Sequence, residues 1–226
     1  MTLVADSGEV FEEWKRRFDP FLRETVEKFY IFSEKIGRGT YSTVNKGSDR
    51  LNPESKVAIK TIIKKNLKPE EKTLIAEESL IIQKLNHENI IKFIRQFEDT
   101  ERIFYIFELA EGGDLYDHIN DKNRLCEEES KIIFKQLLQV LEYLHLSHIL
   151  HRDLKPENIM IIKDEVTGRV SQIKLIDFGF ATYFSNDDLP CLSCGTLNYA
   201  APEVLLGEKY GEPSDIFSAG VILYLM

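Results

Sequence analysis

Cysteine is scarce in this chain. There are three in 226 residues, Cys126, Cys191 and Cys194. That is too few for a disulfide framework and points to a reducing, intracellular, cytoplasmic setting. Cys191 and Cys194 stand in a C-x-x-C. A metal reading of that motif needs a second pair, or two histidines at matching spacing, and the chain has neither, so the spacing alone is taken as chance. Long apolar runs are also missing. The closing run from Val221 to Met226 is too short to cross a bilayer, so no membrane span is expected. The opening "MTLVADSGEVFEEW" has no basic stretch leading into an apolar one, which predicts no secretory leader. Thr2 stands where N-myristoylation needs glycine. Positive charge is in deficit: 29 Lys and Arg face 38 Asp and Glu, for a net charge of −9 and a pI near 5.2. Such a chain is a poor partner for a phosphate backbone, and no aromatic–basic interleaving argues for nucleic acid. It is a reasonable candidate for recognising basic peptides, although acidity alone usually serves only solubility. Internal repeats and low-complexity segments are absent.

What is present is ordinary globular material, 43% hydrophobic and 30% charged, enough for a real core. Phe11, Trp14, Phe18 and Phe21 recur at helical spacing up to Leu22, interrupted by Pro20. This predicts a short amphipathic helix that packs on the body of the protein or docks to another chain. "FYIFSEKIGRGTYSTVNKG" then reads as two strands around a Gly-rich turn, and "SKVAIKTII" as a strand of branched residues. Pro69 near the first turn, glutamates after it, and Leu74, Ile75, Glu78, Ile82 and Leu85 on one face predict a helix. "IIKFIRQFED" and "RIFYIFELA" are two further strands. After Gly112-Gly113, a natural hinge, "EEESKIIFKQLLQVLEYLHLSH" is a long helix, followed by the short strands "NIMII" and "QIKLI" around "DEVTG". A β-rich part with one helix followed by a helical part predicts an α+β protein of two lobes.

Several residues carry chemistry rather than packing. Gly37 and Gly39 let backbone N–H groups approach an anion, although a Gly-rich hairpin is often only a hairpin. Lys60 lies among Val57, Ala58, Ile59 and Ile62, where an ammonium has to snorkel, pair or bind an anion. Glu78 sits on the apolar side of its helix and needs a cation. "HRDLKPEN" and "LIDFG" bring Asp153, Asn158 and Asp177 into two short loops, with Lys155 beside them. Few carboxylates, an amide and a lysine suit a Mg²⁺ that shares its shell with phosphate oxygens and water. That combination fits phosphoryl transfer, which needs positioning and charge neutralisation more than covalent help.

With GRGTYSTV, VAIK, a helix glutamate, HRDLKPEN, DFG and APE in order, the chain resembles the eukaryotic protein kinases from about Tyr30 to its last residue. The resemblance implies a bilobal α+β fold: an N-terminal extension over residues 1–29, a β-rich N-lobe over 30–110, and an incomplete, mainly helical C-lobe over 111–226. It implies ATP and Mg²⁺ as cofactors. Ile36, Gly37, Gly39, Val44, Ala58, Lys60, Phe107, Glu108, Ala110, Asp114 and Met160 would form the nucleotide site, with Phe107 as gatekeeper and Val44, Ala58 and Met160 sandwiching the base. Lys60 would hold the α/β-phosphates and pair with Glu78. Asp153 would take the proton of the substrate hydroxyl, Lys155 would steady the γ-phosphate, and Asn158 and Asp177 would hold metal. Ile82, Phe93, His151 and Phe178 would stack into a spine anchored by Asp215. The HRDLKPEN form with Lys155 resembles the serine/threonine branch, and "EGGDLYDHI" with "PENIM" the calcium/calmodulin-dependent group. Asp114 and Glu157 resemble acidic positions that read arginines upstream of the target residue, so protein substrates with basic residues are implied. The upstream regulator stays unidentified. Arg152 implies a basic pocket for a phosphate on the loop Phe180–Ala201, which offers Ser185 and Ser193. Asp187 and Asp188 supply charge there without modification, and Thr196 lines the substrate site.

Two positions depart mildly from the family pattern: Ser42 replaces the third loop glycine and Phe217 a tryptophan. The larger departure is the end. "DIFSAGVILY" resembles the central helix of the large lobe, and the helices that follow it in the family, with the arginine that pairs with Glu203, are not in this sequence. The uncapped apolar end predicts a fragment of a longer protein, or one that needs a partner over that face. The alternative to an enzyme is a kinase-like scaffold that binds nucleotide or a partner without turnover.

Overall fold

The computed structural model describes residues 25–39, 42–65, 67–164, 166–185, 187–192 and 194–226. The expected helix Phe11–Leu22 lies outside them. The chain packs as two compact units. Of the described residues, the first comprises those from 25 to 65 with 95–106, and the second those from 67 to 94 with 107–226. By packing, the helix that the resemblance puts in the N-lobe groups with the second unit.

The first unit is built on a five-stranded sheet of order β1-β2-β3-β5-β4. Its strands are β1 Tyr30–Arg38, β2 Ser42–Asp49, β3 Lys56–Ile63, β4 Phe93–Glu98 and β5 Arg102–Glu108. Strands form here because branched and aromatic residues alternate with polar ones, which suits a pleated surface buried on one side. Tight turns join them. Asp49 Oδ1 accepts the N–H groups of Leu51 and Asn52 after β2, at 2.7 and 3.2 Å. Asp99 Oδ1 does the same for Glu101 and Arg102 between β4 and β5, as aspartate favours in turns. A one-turn helix, α1 (Val26–Phe29), adds Val26 to a core of Tyr30, Val57, Ile59, Phe97, Phe104 and Ile106. The Arg95 guanidinium lies 4.6 Å from the Phe29 ring centre and 4.8 Å from that of Phe97, a cation–π contact on both rings.

In the second unit, α2 (Pro69–Ile82) starts on Pro69, with the Glu71 carboxylate accepting the Lys68 N–H at 2.7 Å. Ile81 and Ile82 are its buried apolar residues, together with Glu78. Helix α3 (Leu115–Lys122) is capped by Asp114, whose side chain accepts from Asp117 N–H at 2.8 Å, and it ends on Asn123 at φ 61°. Helix α4 (Glu127–Leu146) opens on three glutamates and has His145 in its last turn, the arrangement that the helix dipole favours. Its Ile133, Leu137, Val140, Leu141 and Leu144 are buried. Glu129 joins α4 to α3 by accepting from Lys122 at 2.8 Å and meeting His118 Nε2 at 3.0 Å.

Two strand pairs follow. β6 (Ile149–Leu150) pairs with β9 (Thr182–Tyr183), and β7 (Ile159–Lys163) with β8 (Val170–Leu175). The short helix α5 (Pro202–Leu205) and α6 (Glu212–Leu225) complete the unit. Helix α6 buries Ser214, Asp215, Ser218, Ala219 and Ile222, and leaves Ile216, Phe217, Leu223, Tyr224 and Leu225 exposed. Among the described residues, no helix is long and apolar enough to cross a membrane.

Candidate active site

In the first unit, strand register gathers part of the expected nucleotide site. Val57 and Ile59 are buried in the core, while Ala58 and Lys60 alternate with them onto the other face. Val44 lies directly opposite Lys60, and Gly37 directly opposite Val44. Gly37, Val44, Ala58 and Lys60 therefore share one face of the sheet. A Cβ on Gly39 would come within 2.7 Å of Ser42 Oγ, and Gly39 N–H donates to Ser42 O at 2.9 Å. A tight Gly39–Ser42 approach thus closes the β1–β2 hairpin. Ile36 is exposed on β1.

In the second unit, the two strand pairs clamp two loops together. Residues 151–158 connect β6 to β7, and residues 176–181 connect β8 to β9. Since β6 pairs with β9 and β7 with β8, the two loops are fastened at both ends. Ile176 N–H donates to Asn158 O at 2.9 Å between them.

Asp153 is buried at 5% exposure and lies at the centre of a polar cluster. Its Oδ2 accepts from Lys155 Nζ at 2.7 Å, and its Oδ1 from the Thr196 hydroxyl at 2.7 Å. Lys155 also donates to Thr196 Oγ1 at 3.0 Å. Asn158 Nδ2 donates to Asp153 O at 2.9 Å and to Oδ2 at 3.3 Å. Each of these partners fixes one oxygen of a carboxylate that would otherwise be costly to bury.

Below Asp153, the Asp215 carboxylate receives two successive backbone groups, His151 N–H on Oδ2 and Arg152 N–H on Oδ1, each at 3.0 Å. His145 Nε2 also lies 3.0 Å from Oδ2. Arg152 has φ 67°, a strained conformation for a long side chain. Its guanidinium donates to Phe180 O at 2.6 Å and to the Tyr210 hydroxyl at 3.4 Å. His151 is fully buried, and burial pushes its pKa down in spite of Asp215, Asp153 and Asp177, so the ring is held neutral. Its Nδ1 accepts Asp153 N–H at 3.3 Å. The His151 and Phe178 rings meet edge to face at 5.0 Å, and Phe93 meets Phe107 at 5.8 Å.

Asp177 is exposed and also has positive φ, 60°. A side chain on Gly179 would lie 3.3 Å from Asp177 Oδ1 and 3.8 Å from Glu78 Oε2, so the buried Glu78 and Asp177 carboxylates flank one glycine. Glu108 accepts Lys92 N–H at 2.9 Å and pairs with Lys174 at 2.7 Å. Asp114 is both a helix cap and the bridge partner of Met160. Ala110 is half-buried, and Glu157 is exposed on the turn Pro156–Asn158. Ser185 Oγ accepts Asp188 N–H at 3.1 Å, while Ser193 lies outside the described residues.

The residues of the second unit suit an oxygen-loving cation. Asn158 spends its amide N–H on Asp153, which leaves its side-chain carbonyl oxygen open to a cation. Among the described residues, no three His, Cys, Asp or Glu side chains converge as a metal cage. A bound ion would therefore complete its shell with water and phosphate, as Mg²⁺ prefers.

Comparison with known proteins decides the family. The protein kinase domain model matches residues 30–226. The chain belongs to the protein kinase family. This kinase domain is 40% identical over 226 residues to calcium-dependent protein kinase 3 of Plasmodium yoelii yoelii, covering 99% of the chain and 41% of that protein. It is 36% identical over 201 residues to calcium/calmodulin-dependent protein kinase type 1 of Macrobrachium nipponense, covering 89% of the chain and 57% of that protein. A calcium/calmodulin-dependent protein kinase of Metarhizium anisopliae is 36% identical over 198 residues, covering 87% and 50%. The chain thus spans between 41% and 57% of the length of these relatives. Membership in the family implies ATP and a divalent metal.

Four features of this kinase domain leave no mark in the local sequence pattern: Tyr210 as a partner of Arg152, His145 as a partner of Asp215, Glu108 as a partner of Lys174, and the hydroxyl of Thr196 on Asp153 itself. All four join residues 43 or more positions apart, which local pattern does not encode.

Proposed function

We propose that this chain carries the catalytic part of a serine/threonine protein kinase, which transfers the γ-phosphate of Mg-ATP to Ser/Thr hydroxyls of protein substrates with basic residues near the target. The observation that carries the reading is the buried Asp153 carboxylate, held by Lys155 on one oxygen and by a hydroxyl on the other, each at 2.7 Å. A carboxylate that already accepts a threonine hydroxyl is built to accept the hydroxyl of a substrate.

Mg-ATP, when bound, supplies the transferable phosphoryl group and the charge that needs neutralising. In this reading Asn158 and Asp177 hold the metal. Lys155 neutralises charge next to the hydroxyl that Asp153 orients, and Asp153 takes its proton. Gly37, Gly39, Val44, Ala58 and Lys60 serve the nucleotide, and Glu78 carries the helix-glutamate role. Phe107, Glu108, Ala110 and Met160 serve the base. The exposed Glu157, together with Asp114, favours arginine upstream of the target, which agrees with the net charge of −9.

The test is transfer of labelled phosphate from Mg-ATP to an arginine-containing serine peptide, by this chain beside its Asp153→Asn form. Loss of turnover by 10²-fold or more, on the order that general-base removal costs, is expected at unchanged thermal stability. Nucleotide binding without turnover in either form would turn the reading to a scaffold. Equal turnover in both would remove Asp153 from the mechanism.

A further inference from the structure

Tyr210 stands between polar neighbours, yet it is 3% exposed. Its ring packs with Leu150, Phe184, Ala201 and Val204, so the strand that leads into residues 151–158 lies against it. Its N–H donates to Pro190 O at 3.0 Å, and its hydroxyl donates to Leu192 O at 2.7 Å. Burial pushes the phenol up to about 12, against the opposing pull of Arg152, so the proton stays on the oxygen. A phenol has one proton to give. With that proton on Leu192 O, the lone pairs of the oxygen are left for the Arg152 guanidinium, whose Nη1 donates to it at 3.4 Å. Cys194 Sγ lies 3.8 Å from the same oxygen.

Arg152 is held at both ends. Its backbone N–H sits on Asp215 Oδ1 at 3.0 Å, with φ at 67°. Its guanidinium gives Nε to Phe180 O at 2.6 Å and Nη1 to Tyr210. Arg152 adjoins Asp153, and Phe180 directly follows Asp177-Phe178-Gly179. One side chain therefore ties the loop that carries Asp153 to the loop that carries Asp177. A guanidinium is planar and rigid, so a second anchor on Nη1 fixes the direction in which Nε points. Tyr210 supplies that anchor.

We infer that Tyr210 is a positioning residue of the candidate active site: its hydroxyl, acting through the Arg152 guanidinium, holds the Asp153 loop and the Asp177 loop in register. A merely structural tyrosine would act through its ring, in the core of Leu150, Phe184, Ala201 and Val204. Here the hydroxyl has a task of its own, and substitution separates the two. Tyr210 touches neither Asp153 nor Asp177 by any hydrogen bond among the described residues, so its influence on them passes through Arg152. The effect on turnover rests on the kinase reading, but the coupling of the two loops does not.

The test compares Tyr210→Phe, Arg152→Met and the double variant with the parent, each as the full chain. Tyr210→Phe keeps the ring, so its melting temperature should stay within a few degrees of the parent. Its kcat on the serine peptide should fall on the order of tenfold at unchanged KM for Mg-ATP, less than the ~10²-fold that about 1 Å of misplacement costs. In the Arg152→Met background the same substitution should change kcat by less than about twofold, because the route is already cut. Amide hydrogen exchange should rise at residues 151–153 and 178–181 in Tyr210→Phe, and no further in the double variant than in Arg152→Met. Equal losses of kcat in both backgrounds would overturn the proposal, since Tyr210 would then act by another route, such as Leu192. Parent-like kcat and exchange in Tyr210→Phe would overturn it as well and leave the residue a packing role. A parent without turnover counts against the kinase reading alone, and the exchange measurement then decides on Tyr210.

Discussion

Asp215 accepts the backbone N–H of Arg152 at 3.0 Å, and Arg152 sits at φ 67°. The two facts belong together. A left-handed arginine costs about 1 kcal/mol or more, and the carboxylate beneath it, which also takes His151 N–H, offsets that cost. In Asp215→Asn one of the two acceptor oxygens becomes an NH₂, and a buried N–H loses its partner. The expected loss is about 1–3 kcal/mol, read by urea unfolding. In the assay above kcat should fall while the KM for ATP holds, because the loop that moves carries Asp153.

Gly112 and Gly113 are adjacent yet should respond differently to alanine. A Cβ on Gly112 would lie 1.7 Å from Ile161 O, so the backbone has to move. That movement would disturb the Ile161 N–H to Gly113 O bond at 2.8 Å and the Asp114–Met160 bridge. Gly113 has φ +79° but open space around it. Gly112→Ala should therefore cost several kcal/mol, on the order of 4, and Gly113→Ala only about 1 kcal/mol from the left-handed conformation. Equal losses in thermal melts would show that strain at the turn, rather than the close approach to β7, governs this pair.

Sequence periodicity and motif order located strands β1 to β5, the pair β7 and β8, the three long helices and the residues around Asp153, because each depends on neighbours within about a turn or a short loop; the two-residue strands β6 and β9 carry no such pattern. Alternation in β3 separated Lys60 from the core residues Val57 and Ile59. The helix face that carries Ile82 also carries Glu78, and Glu78 is buried there. Other features escaped for a physical reason. Tyr210 lies in the polar stretch "GEKYGEPSD", where nothing periodic marks it, yet its partners are Pro190, Leu192, Cys194 and Arg152. Asn89, which is buried, and the half-buried Gln136 likewise form a pair at 2.6 Å that also bonds the β8 backbone. Both depend on long-range packing that a linear pattern does not carry.

Glu129 supplies a pH-dependent element. Burial raises its pKa, but Lys122 and His118 outweigh that and hold it below the usual carboxylate range. A carboxylate with a depressed folded pKa stabilises fully above its unfolded value, near about 4.3. That stabilisation is lost as pH falls through the lower folded value. Glu129→Gln should cost about 1 kcal/mol at pH 7. The gap between variant and parent should close as pH drops below about 4. Melting temperatures of both across that range check it. A gap constant with pH would assign the effect to packing instead.

Thr196 tests how Asp153 and Lys155 are aligned. Its hydroxyl donates to one and accepts from the other, at 2.7 and 3.0 Å, so one side chain holds the carboxylate and the ammonium in register. Thr196→Val keeps the volume and removes both bonds, while Thr196→Ser keeps them and removes a methyl. Misplacement of a catalytic group by about 1 Å costs on the order of 10²-fold in rate, so Thr196→Val should lose about that in kcat and Thr196→Ser little. Lys155→Met alone should also be damaging, and the double variant should lose less than the product of the two, because both substitutions release the same carboxylate. Strictly multiplicative losses would mean that Lys155 and Thr196 act on Asp153 independently, and that the triangle of contacts has no joint role in turnover.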